Sequence, residues 1–261
     1  MYSLDSFFQN LLKWGEEKSG EKKETVLELF PELGTIVGYP QNNPYHIYDV
    51  WTHTMAALKY SDTNDRLVNL ALLFHDIGKP ECVTRDENGV CHFRGHGKKS
   101  AEITKELLLR LNLTEDESEK IIQLILYHDL FIEEDPSFIK KWYKKLGNIQ
   151  FNRLLKIRYC DISAQNPYYL YNRLEKLKRI QKILKKIEKE VIYEEVTIAV
   201  NGNDLIEIGY KEGPEIGAVL QILKNEVLAG NCNNEKDKLL IRAKTIQKES
   251  LKRRKINETV G

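Results

Sequence analysis

The sequence predicts an all-α protein with a large helical body and a smaller helical C-terminal region. Apolar residues recur every three or four positions along most of the 261 residues, which is the period of an amphipathic helix. Turn and capping residues such as Asn166-Pro167 and Gly78 separate these segments. The stretch VTIAV at 196–200 has strand propensity, but no partner strand is evident nearby, so no sheet is predicted from it.

Helix boundaries follow from the apolar stripes and from the residues that start or stop a helix. Pro31 stops the second helix, and Thr114 with Glu117 predicts a capping box at the start of the sixth. Asn203 is expected to cap a short helix, and Pro214 fits a first helical position. Helices are predicted over residues 4–14, 26–30, 45–60, 66–77, 98–111, 114–128, 137–146, 149–163, 168–190, a short segment from 203, 214–230 and the stretch after 234. Residues 81–97 are expected to form a polar, irregular segment, and a small hairpin is one form it could take.

Composition limits the class of protein. Hydrophobic residues make up 41% of the chain and charged residues 30%, which is typical of a globular protein rather than of a disordered or membrane one. No apolar run approaches the ~18 residues of a transmembrane helix, and Asp5 lies where a secretory signal needs an apolar stretch. The four cysteines form no CxxC pair, which favours free thiols over a thiolate zinc site. We therefore expect a cytoplasmic protein without a membrane partner.

Charge is distributed unevenly along the expected domains, which are an N-terminal helix (1–25), a helical body (26–166) and a helical C-terminal region (167–261). The net charge of +1 excludes a uniformly basic nucleic-acid-binding protein. Residues 168–190 nevertheless carry 8 basic and 3 acidic side chains, and residues 242–255 carry 7 and 1. These helices could serve an anionic partner, although solvated helix faces are the simpler explanation.

Polar residues interrupt the chain where burial should be greatest. His75 and Asp76 directly follow the apolar run LALLF. Burying an unpaired carboxylate costs several kcal/mol unless a cation or hydrogen bonds satisfy it, and a metal ion would meet that cost. His53 lies inside the third predicted helix, His96 near the start of the fifth and His128 at the end of the sixth. A single histidine on an apolar helix is more often a core residue with its hydrogen bonds made than a metal ligand.

Five motifs occur in order along the body. They are LFPEL (29–33), PYHIYDVWTHT (44–54), LALLFHDIGKP (70–80), FRGHGKKSA (93–101) and YHD (127–129). Together with the pattern His53, His75-Asp76 and Asp161, they resemble the HD superfamily of metal-dependent phosphohydrolases. The resemblance is closest to the HD domain of bacterial tRNA nucleotidyltransferases (CCA-adding enzymes) and covers about residues 26–166. It implies an HD-domain helical bundle.

A weaker resemblance to the helical tail of the same enzymes covers residues 200–223 and 234–240. Those enzymes also carry an N-terminal nucleotidyltransferase domain. The roughly 30 residues before the HD region are too few for such a domain. Nucleotide addition is therefore not expected from this chain.

The resemblance also implies a set of metal ligands and two divalent ions, with Asp76 bridging them. The ligands are His53, His75, Asp76 and Asp161 in the primary site, with His96 and His128 completing a second site. Imidazole and carboxylate ligands without thiolate suit Mn²⁺, Fe²⁺, Co²⁺ or Ni²⁺. Mg²⁺ is the alternative, although four histidines argue against Mg²⁺ alone in the primary site.

Basic side chains beside these ligands are candidate substrate contacts. Lys79, which follows Asp76 in HDIGKP, would offset charge on a phosphate, and we count it with Asp76 as catalytic. A cation favoured by the helix C-terminus is an equally good explanation of Lys79. Arg94, Lys98 and Arg158 are further candidates for phosphate contact, although basic residues beside loops are common.

Two polar residues near His53 are candidates for a supporting role. His46 and Asp49 lie on the same helix face as His53 and could hold its tautomer. Helix capping and local hydrogen bonds are the alternative explanation of both. Tyr45 is expected to pack in the core rather than to stack on a base.

The function expected from these residues is that of a divalent-metal-dependent phosphohydrolase, a phosphodiesterase or phosphatase that acts through metal-activated water. Its substrate would be a phosphorylated small molecule, such as a nucleotide, or an RNA end. The alternative is an RNA-binding module with little or no catalysis, which contacts RNA through the basic C-terminal helices. A hydrolase of guanosine polyphosphates is a weaker third hypothesis, since no additional motif supports it.

Overall fold

The computed structural model describes residues 19–260, with side chains described over 23–250 except 192, 194 and 195. The prediction of an all-α protein is confirmed, because helices account for nearly all regular structure in this range. The helix predicted over residues 4–14 lies outside the described residues. Within the described range, none of the helices has the length and apolar character needed to span a bilayer.

The elements alternate between helices and short connections, with one small hairpin. In chain order they are α1 (Ser19–Leu29), a 3₁₀ helix (Pro31–Ile36), α2 (Val50–Lys59), α3 (Arg66–Phe74), α4 (Lys79–Cys82), β1 (Thr84–Arg85), β2 (Cys91–His92), α5 (His96–Leu108), α6 (Glu115–Tyr127), α7 (Pro136–Leu146), α8 (Asn148–Ser163), α9 (Pro167–Glu195), α10 (Gly202–Glu207), α11 (Pro214–Leu228) and α12 (Lys236–Val260). The two strands pair antiparallel, so the hairpin considered at 81–97 is present.

Several boundaries differ from the sequence prediction, and three of them lie near residues discussed below or at a cap. The helix predicted from residue 45 begins only at Val50, because Asp49 accepts a hydrogen bond from the Thr52 backbone and caps it. The helix predicted to residue 77 ends at Phe74. Asn203 does not cap α10. Asn201 is the cap, and its side chain accepts hydrogen bonds from the backbone N–H groups of residues 203 and 204.

The described chain divides into two compact units, with the division at Lys185 and Lys186 inside α9. The sequence predicts a domain boundary at residue 166, and the division between the compact units lies further along the chain. The start of α9 belongs with the N-terminal unit because the Asn166 backbone N–H donates to the Tyr45 carbonyl at 2.8 Å and Arg173 donates to Gln165. The two units are described separately below.

Helix α3 is the centre of the N-terminal unit. Every side chain from Leu67 to Phe74 is buried, and α2, α6 and α8 pack around this helix. A helix that is apolar on all sides requires such a buried position. His75 and Asp76 therefore emerge from the end of α3 in the interior of the unit, where both are buried.

The C-terminal unit has its own core. Helices α10, α11 and α12 pack around a buried apolar cluster, and the residues of 196–200 enter it as an irregular segment. The cluster consists of Val200, Leu205, Tyr210, Val219, Leu223, Leu239 and Ala243.

Candidate metal centre

Four histidines share one hydrogen-bonding pattern around the end of α3. In each of them Nδ1 lies against a backbone carbonyl oxygen, at distances of 2.7 Å for His75 with Leu72, His96 with Phe93 and His128 with Ile125, and 3.3 Å for His53 with Ala164. A carbonyl oxygen can only accept, so each Nδ1 carries the proton and donates. In its neutral form, each ring therefore presents a lone pair at Nε2.

Two carboxylates lie among these Nε2 atoms. Asp161, near the end of α8, has Oδ1 3.0 Å from His53 Nε2. Asp76 has Oδ2 3.2 Å from His75 Nε2 and Oδ1 3.3 Å from His96 Nε2. The His128 Nε2 atom lies 3.7 Å from the same Asp76 Oδ1. All six residues are buried, and the distances above place these six candidate ligands together at the end of α3.

The donor set of this centre fits a divalent metal ion. His75 Nε2 and Asp76 Oδ1 are buried without a hydrogen-bond partner, which is costly unless a cation satisfies them. His96 and His128 point their Nε2 atoms at each other from 3.0 Å, although both rings already donate from Nδ1. Two groups have ligand atoms within 4.8 Å of one another, namely His53, His75 and Asp161, and His75, Asp76 and His128. Nitrogen and oxygen donors without thiolate suit a first-row divalent metal.

The close charges also shift the acid–base behaviour of these groups. Burial alone would raise the pKa of Asp76, but the charges of His75 and Lys79 hold it well below its usual range. Burial likewise opposes ionisation of Asp161, whose pKa is held well below its usual range by the His53 ring beside it. Both carboxylates therefore remain ionised at neutral pH, as metal ligands must be.

Two glycines allow the backbones around the centre to approach closely. A Cβ atom at Gly78 would lie 2.6 Å from the backbone nitrogen of Ser100, so the turn after Asp76 packs directly on α5. A Cβ atom at Gly97 would lie 3.2 Å from the carbonyl oxygen of Leu126. This second contact holds the start of α5 against the end of α6, where His128 follows.

An open cavity of about 750 Å³ leads to the centre. This volume suits a small organic ligand. Asp76, His96, His128 and Asp161 form part of its lining, and side chains from the loop before α2, the hairpin and α9 form the rest.

Lys79 is buried and lines the cavity. Its Nζ atom lies 2.6 Å from Asp76 Oδ2 and 2.7 Å from the side-chain oxygen of Gln41. Two of its three donors are thus used within the protein, and it neutralises Asp76 directly. The sequence argument missed Gln41, which lies in a loop and carries no motif of its own.

The other three basic candidates lie in different surroundings. Arg94 is exposed and lines the cavity. Lys98 lies outside the cavity lining on an exposed face of α5, 4.0 Å from Glu102. Arg158 donates to the His128 carbonyl oxygen at 2.9 Å and lies 3.5 Å from Asp129. The structure therefore brings only Arg94 of these three to the cavity, and Arg158 supports the backbone at His128.

The two candidates for support of His53 also differ. The His46 ring lies edge-on to the His53 ring, with centroids 4.7 Å apart, and it lines the cavity. Burial, with the charges of Lys79 and His53, lowers the pKa of His46 to about 2, so it is neutral at working pH. Asp49 instead caps α2 and also accepts from the Gly38 backbone N–H at 3.2 Å. The atom that fixes the tautomer of His53 is the Ala164 carbonyl oxygen.

Further cavity residues escaped the sequence argument, among them Tyr45, Gln165 and Arg173. Tyr45 was expected in the core, but it is 51% exposed and lines the cavity. Gln165 donates to Asp161 Oδ1 at 3.0 Å, and Arg173 in turn donates to Gln165. Nothing in the sequence distinguishes Arg173 from the seven other basic residues of 168–190.

Comparison with known proteins decides the family. The family model of the HD domain matches residues 45–193, which is more than half of the chain. The chain belongs to the HD domain family. HD domains form a superfamily of metal-dependent phosphohydrolases and bind divalent metals. The match begins at the cavity residue Tyr45 and includes all six residues of the candidate metal centre.

Curated relatives of this HD protein include two tRNA nucleotidyltransferases. The A-adding tRNA nucleotidyltransferase of Deinococcus radiodurans is 26% identical over 201 residues, which cover 74% of this chain and 45% of the relative. The CC-adding tRNA nucleotidyltransferase of Thermus thermophilus is 25% identical over 214 residues, 79% of this chain and 47% of the relative. The chain thus spans less than half the length of these relatives.

A second group of relatives has a different name. The bifunctional uridylyltransferase/uridylyl-removing enzyme of Ruegeria pomeroyi is 26% identical over 194 residues, which cover 62% of this HD protein and 20% of the relative. The HD domain is therefore shared among proteins with several activities.

Proposed function

We propose that this HD protein is a divalent-metal-dependent phosphohydrolase that cleaves a phosphoester of a nucleotide or of an RNA end. The observation that carries the proposal is the convergence of four Nε2 lone pairs and two ionised carboxylates at the base of a cavity. Buried polar atoms without partners are rare in a core that serves only stability.

The chemistry follows from this arrangement. A water oxygen adds to phosphorus, the bond from phosphorus to the leaving oxygen breaks, and a proton goes to the leaving oxygen. A phosphodiester thus yields a phosphomonoester and an alcohol. Bound divalent ions would lower the pKa of water and neutralise charge on the phosphoryl oxygens.

The protein's own groups position this reaction. Backbone carbonyls fix all four imidazole rings, so little reorganisation is needed when ions and substrate enter. Lys79 balances the charge of Asp76. His46 stays neutral, so it does not act as an imidazolium proton donor.

The relatives support this proposal at the level of substrate class. Two of them are named for adding nucleotides to tRNA, and a third is named for removing a uridylyl group, which is a nucleotide attached through its phosphate. A nucleotide or an RNA end is common to these names.

The test is hydrolysis by the full chain after metal removal and replacement. EDTA-treated protein is refilled with Mg²⁺, Mn²⁺, Fe²⁺, Co²⁺ or Ni²⁺ and assayed on bis-p-nitrophenyl phosphate, p-nitrophenyl phosphate and 2′,3′-cyclic AMP. We expect activity to return with at least one ion in the wild type and to be lost in Asp76→Ala. Asp65→Asn is the matched control, because Asp65 caps the opposite end of α3 and asparagine also caps helices. Equal hydrolysis by wild type and Asp76→Ala would overturn the proposal.

The alternative is an RNA-binding module with little catalysis. Exposed lysines on α9 and the tRNA-related names of two relatives favour it. This hypothesis predicts that metal-free protein binds a tRNA transcript with an affinity that falls steeply as salt is raised. Filter binding in EDTA at several salt concentrations measures it, and absence of binding at low salt would exclude it.

A further inference from the structure

The wall of the cavity on the side of α9 carries a partly exposed aromatic pair. The ring centroids of Tyr45 and Tyr169 are 5.0 Å apart at an angle of 52°, and both residues line the cavity. Tyr168 extends the pair, with its centroid 4.9 Å from that of Tyr169, and it is 84% exposed. Large aromatic side chains usually bury their surface, so three partly open tyrosines beside a cavity point to a ligand.

The backbone under this pair is held in place before any ligand arrives. The Asn166 backbone N–H donates to the Tyr45 carbonyl oxygen, and the Asn166 side chain donates to the Pro44 carbonyl oxygen, both at 2.8 Å. The carbonyl of Asn42 accepts from the Cys91 backbone N–H at 3.0 Å, which ties the loop to the hairpin. A fixed platform loses little conformational entropy when it binds a planar ring.

A half-buried cation lies next to the pair. The guanidinium carbon of Arg173 is 5.7 Å from the centroid of Tyr45, and Arg173 lines the same cavity. Burial and the charge of Arg158 lower its pKa, and the charge of Asp161 opposes this shift. Within the described part of the chain, no carboxylate lies within ion-pair distance of Arg173, and its hydrogen-bond acceptor is the neutral Gln165. A guanidinium in such a position has donors available for an anion.

Gln165 connects this cation to the candidate metal centre. It accepts from Arg173 and donates to Asp161 Oδ1. One side chain therefore separates the guanidinium from a proposed metal ligand. A phosphate whose ester bond lies at the centre would have an oxygen within reach of Arg173, and the group esterified to it would extend toward Tyr45.

We propose that Tyr45 and Tyr169 form a subsite for the base of a nucleotide and that Arg173 binds its phosphate. This inference rests on the proposed function and specifies its substrate: a phosphoester that carries a planar heteroaromatic base, either free or at the end of an RNA. Stacking on tyrosine tolerates any base, because every base has a π-face.

Binding of ligands that contain no phosphoester tests this subsite separately from hydrolysis. The full chain, loaded with Mg²⁺, is titrated with adenosine, with ribose and with inorganic phosphate by ligand-observed NMR. We expect adenosine to bind more tightly than ribose by at least about 5-fold, and Tyr45→Leu to weaken adenosine binding by about 5- to 100-fold. Tyr45→Phe keeps the ring and should bind adenosine within about twofold of the wild type.

Two more variants complete the test. Arg173→Gln should weaken the binding of inorganic phosphate by at least about 10-fold and leave adenosine binding nearly unchanged. Tyr171→Leu is the matched control, because Tyr171 is exposed on the same helix but does not line the cavity. Thermal melting of each variant checks that the fold is retained.

The outcomes are distinct. Equal affinities for adenosine and ribose, or equal adenosine binding by wild type and Tyr45→Leu, would overturn the base subsite even if bis-p-nitrophenyl phosphate is hydrolysed. Selective adenosine binding without hydrolysis of any phosphoester would instead leave the subsite standing and reject the hydrolase. Competition by a single-stranded penta-adenylate identifies an RNA end as the source of the base, and absence of competition identifies a free nucleotide.

Discussion

The two units of this protein differ in whether their buried polar atoms have hydrogen-bond partners. In the C-terminal unit, Asp204 accepts from the Asn201 backbone N–H at 2.8 Å and pairs with Lys236, and the Tyr210 hydroxyl donates to the Ala243 carbonyl oxygen at 2.7 Å. Among the described residues of that unit, every buried side-chain nitrogen or oxygen has a partner. Its polar groups complete an apolar core.

The N-terminal unit leaves buried polar atoms without partners, and they cluster. Asp76 Oδ1, His75 Nε2 and His46 Nδ1 belong to the candidate centre or its immediate neighbourhood, whereas Thr104 Oγ1 lies in α5. Each such atom costs about 1–3 kcal/mol. The comparison teaches that a buried carboxylate with both oxygens paired supports the fold, whereas one with an unpaired buried oxygen beside a cavity is suited to bind a ligand.

The largest expected effect separates these two kinds of carboxylate. A metal ion at about 100 times its Kd adds about 2.7 kcal/mol to the stability of the folded state, which raises Tm by about 5–10 °C in a domain of this size. We expect this shift in the wild type and its loss in Asp76→Asn, measured by thermal melting with and without the ion that restores activity. Asp204→Asn should lower Tm but keep the metal-dependent shift. Equal metal-dependent Tm shifts in wild type and Asp76→Asn would show that Asp76 does not bind the ion.

A glycine substitution tests the packing that holds the centre together. Gly78→Ala places a Cβ atom 2.6 Å from the Ser100 nitrogen, so the turn after Asp76 must move away from α5. We expect the free energy of unfolding to fall by about 1–3 kcal/mol. Gly34→Ala is the control, because nothing lies within 4 Å of its Cβ position. Urea unfolding measures both variants, and equal midpoints would show that the contact is not tight.

Asp49 is expected to behave like Asp204, although it lies near His53. Its contacts are those of a helix cap, so Asp49→Ala should lower the free energy of unfolding by about 1 kcal/mol and change metal affinity less than twofold. Asp49→Asn, which can still cap, should retain most of the stability. A 10- to 100-fold loss of metal affinity in Asp49→Ala would instead assign it the role of orienting His53.

The smallest expected effect concerns an acid far from the centre. A hydrogen bond from Arg66, and then one from the Thr114 backbone, lower the pKa of Glu117 to about 2. The unfolded state has the higher pKa, so this contribution is present at neutral pH and is lost as pH falls from about 4.5 toward 2. Glu117→Gln should therefore be less stable than the wild type by under about 1 kcal/mol at pH 7. Thermal melting should show that this difference shrinks toward pH 2, and a constant difference would contradict the assignment.

The sequence by itself determined most of the helices and the composition of the centre. The period of apolar residues and the local caps predicted the helices, because both depend on neighbours a few residues away. The capping box of Thr114 and Glu117 is present, for example, as the sequence indicated. His53, the pair His75-Asp76 and Asp161 could be selected from the motifs and their order.

Only the tertiary structure decided which of the remaining polar side chains reach the cavity. Tyr45 and Arg173 come from segments far apart in the chain, and nothing local distinguishes them from a core tyrosine or a solvated arginine. Asp49 and Arg158 are plausible site residues by spacing, but Asp49 accepts from the hydroxyl and the backbone N–H of Thr52, and Arg158 donates to the His128 carbonyl oxygen. Helix periodicity gives the face on which a residue lies, whereas the occupant of the space opposite that face depends on long-range packing.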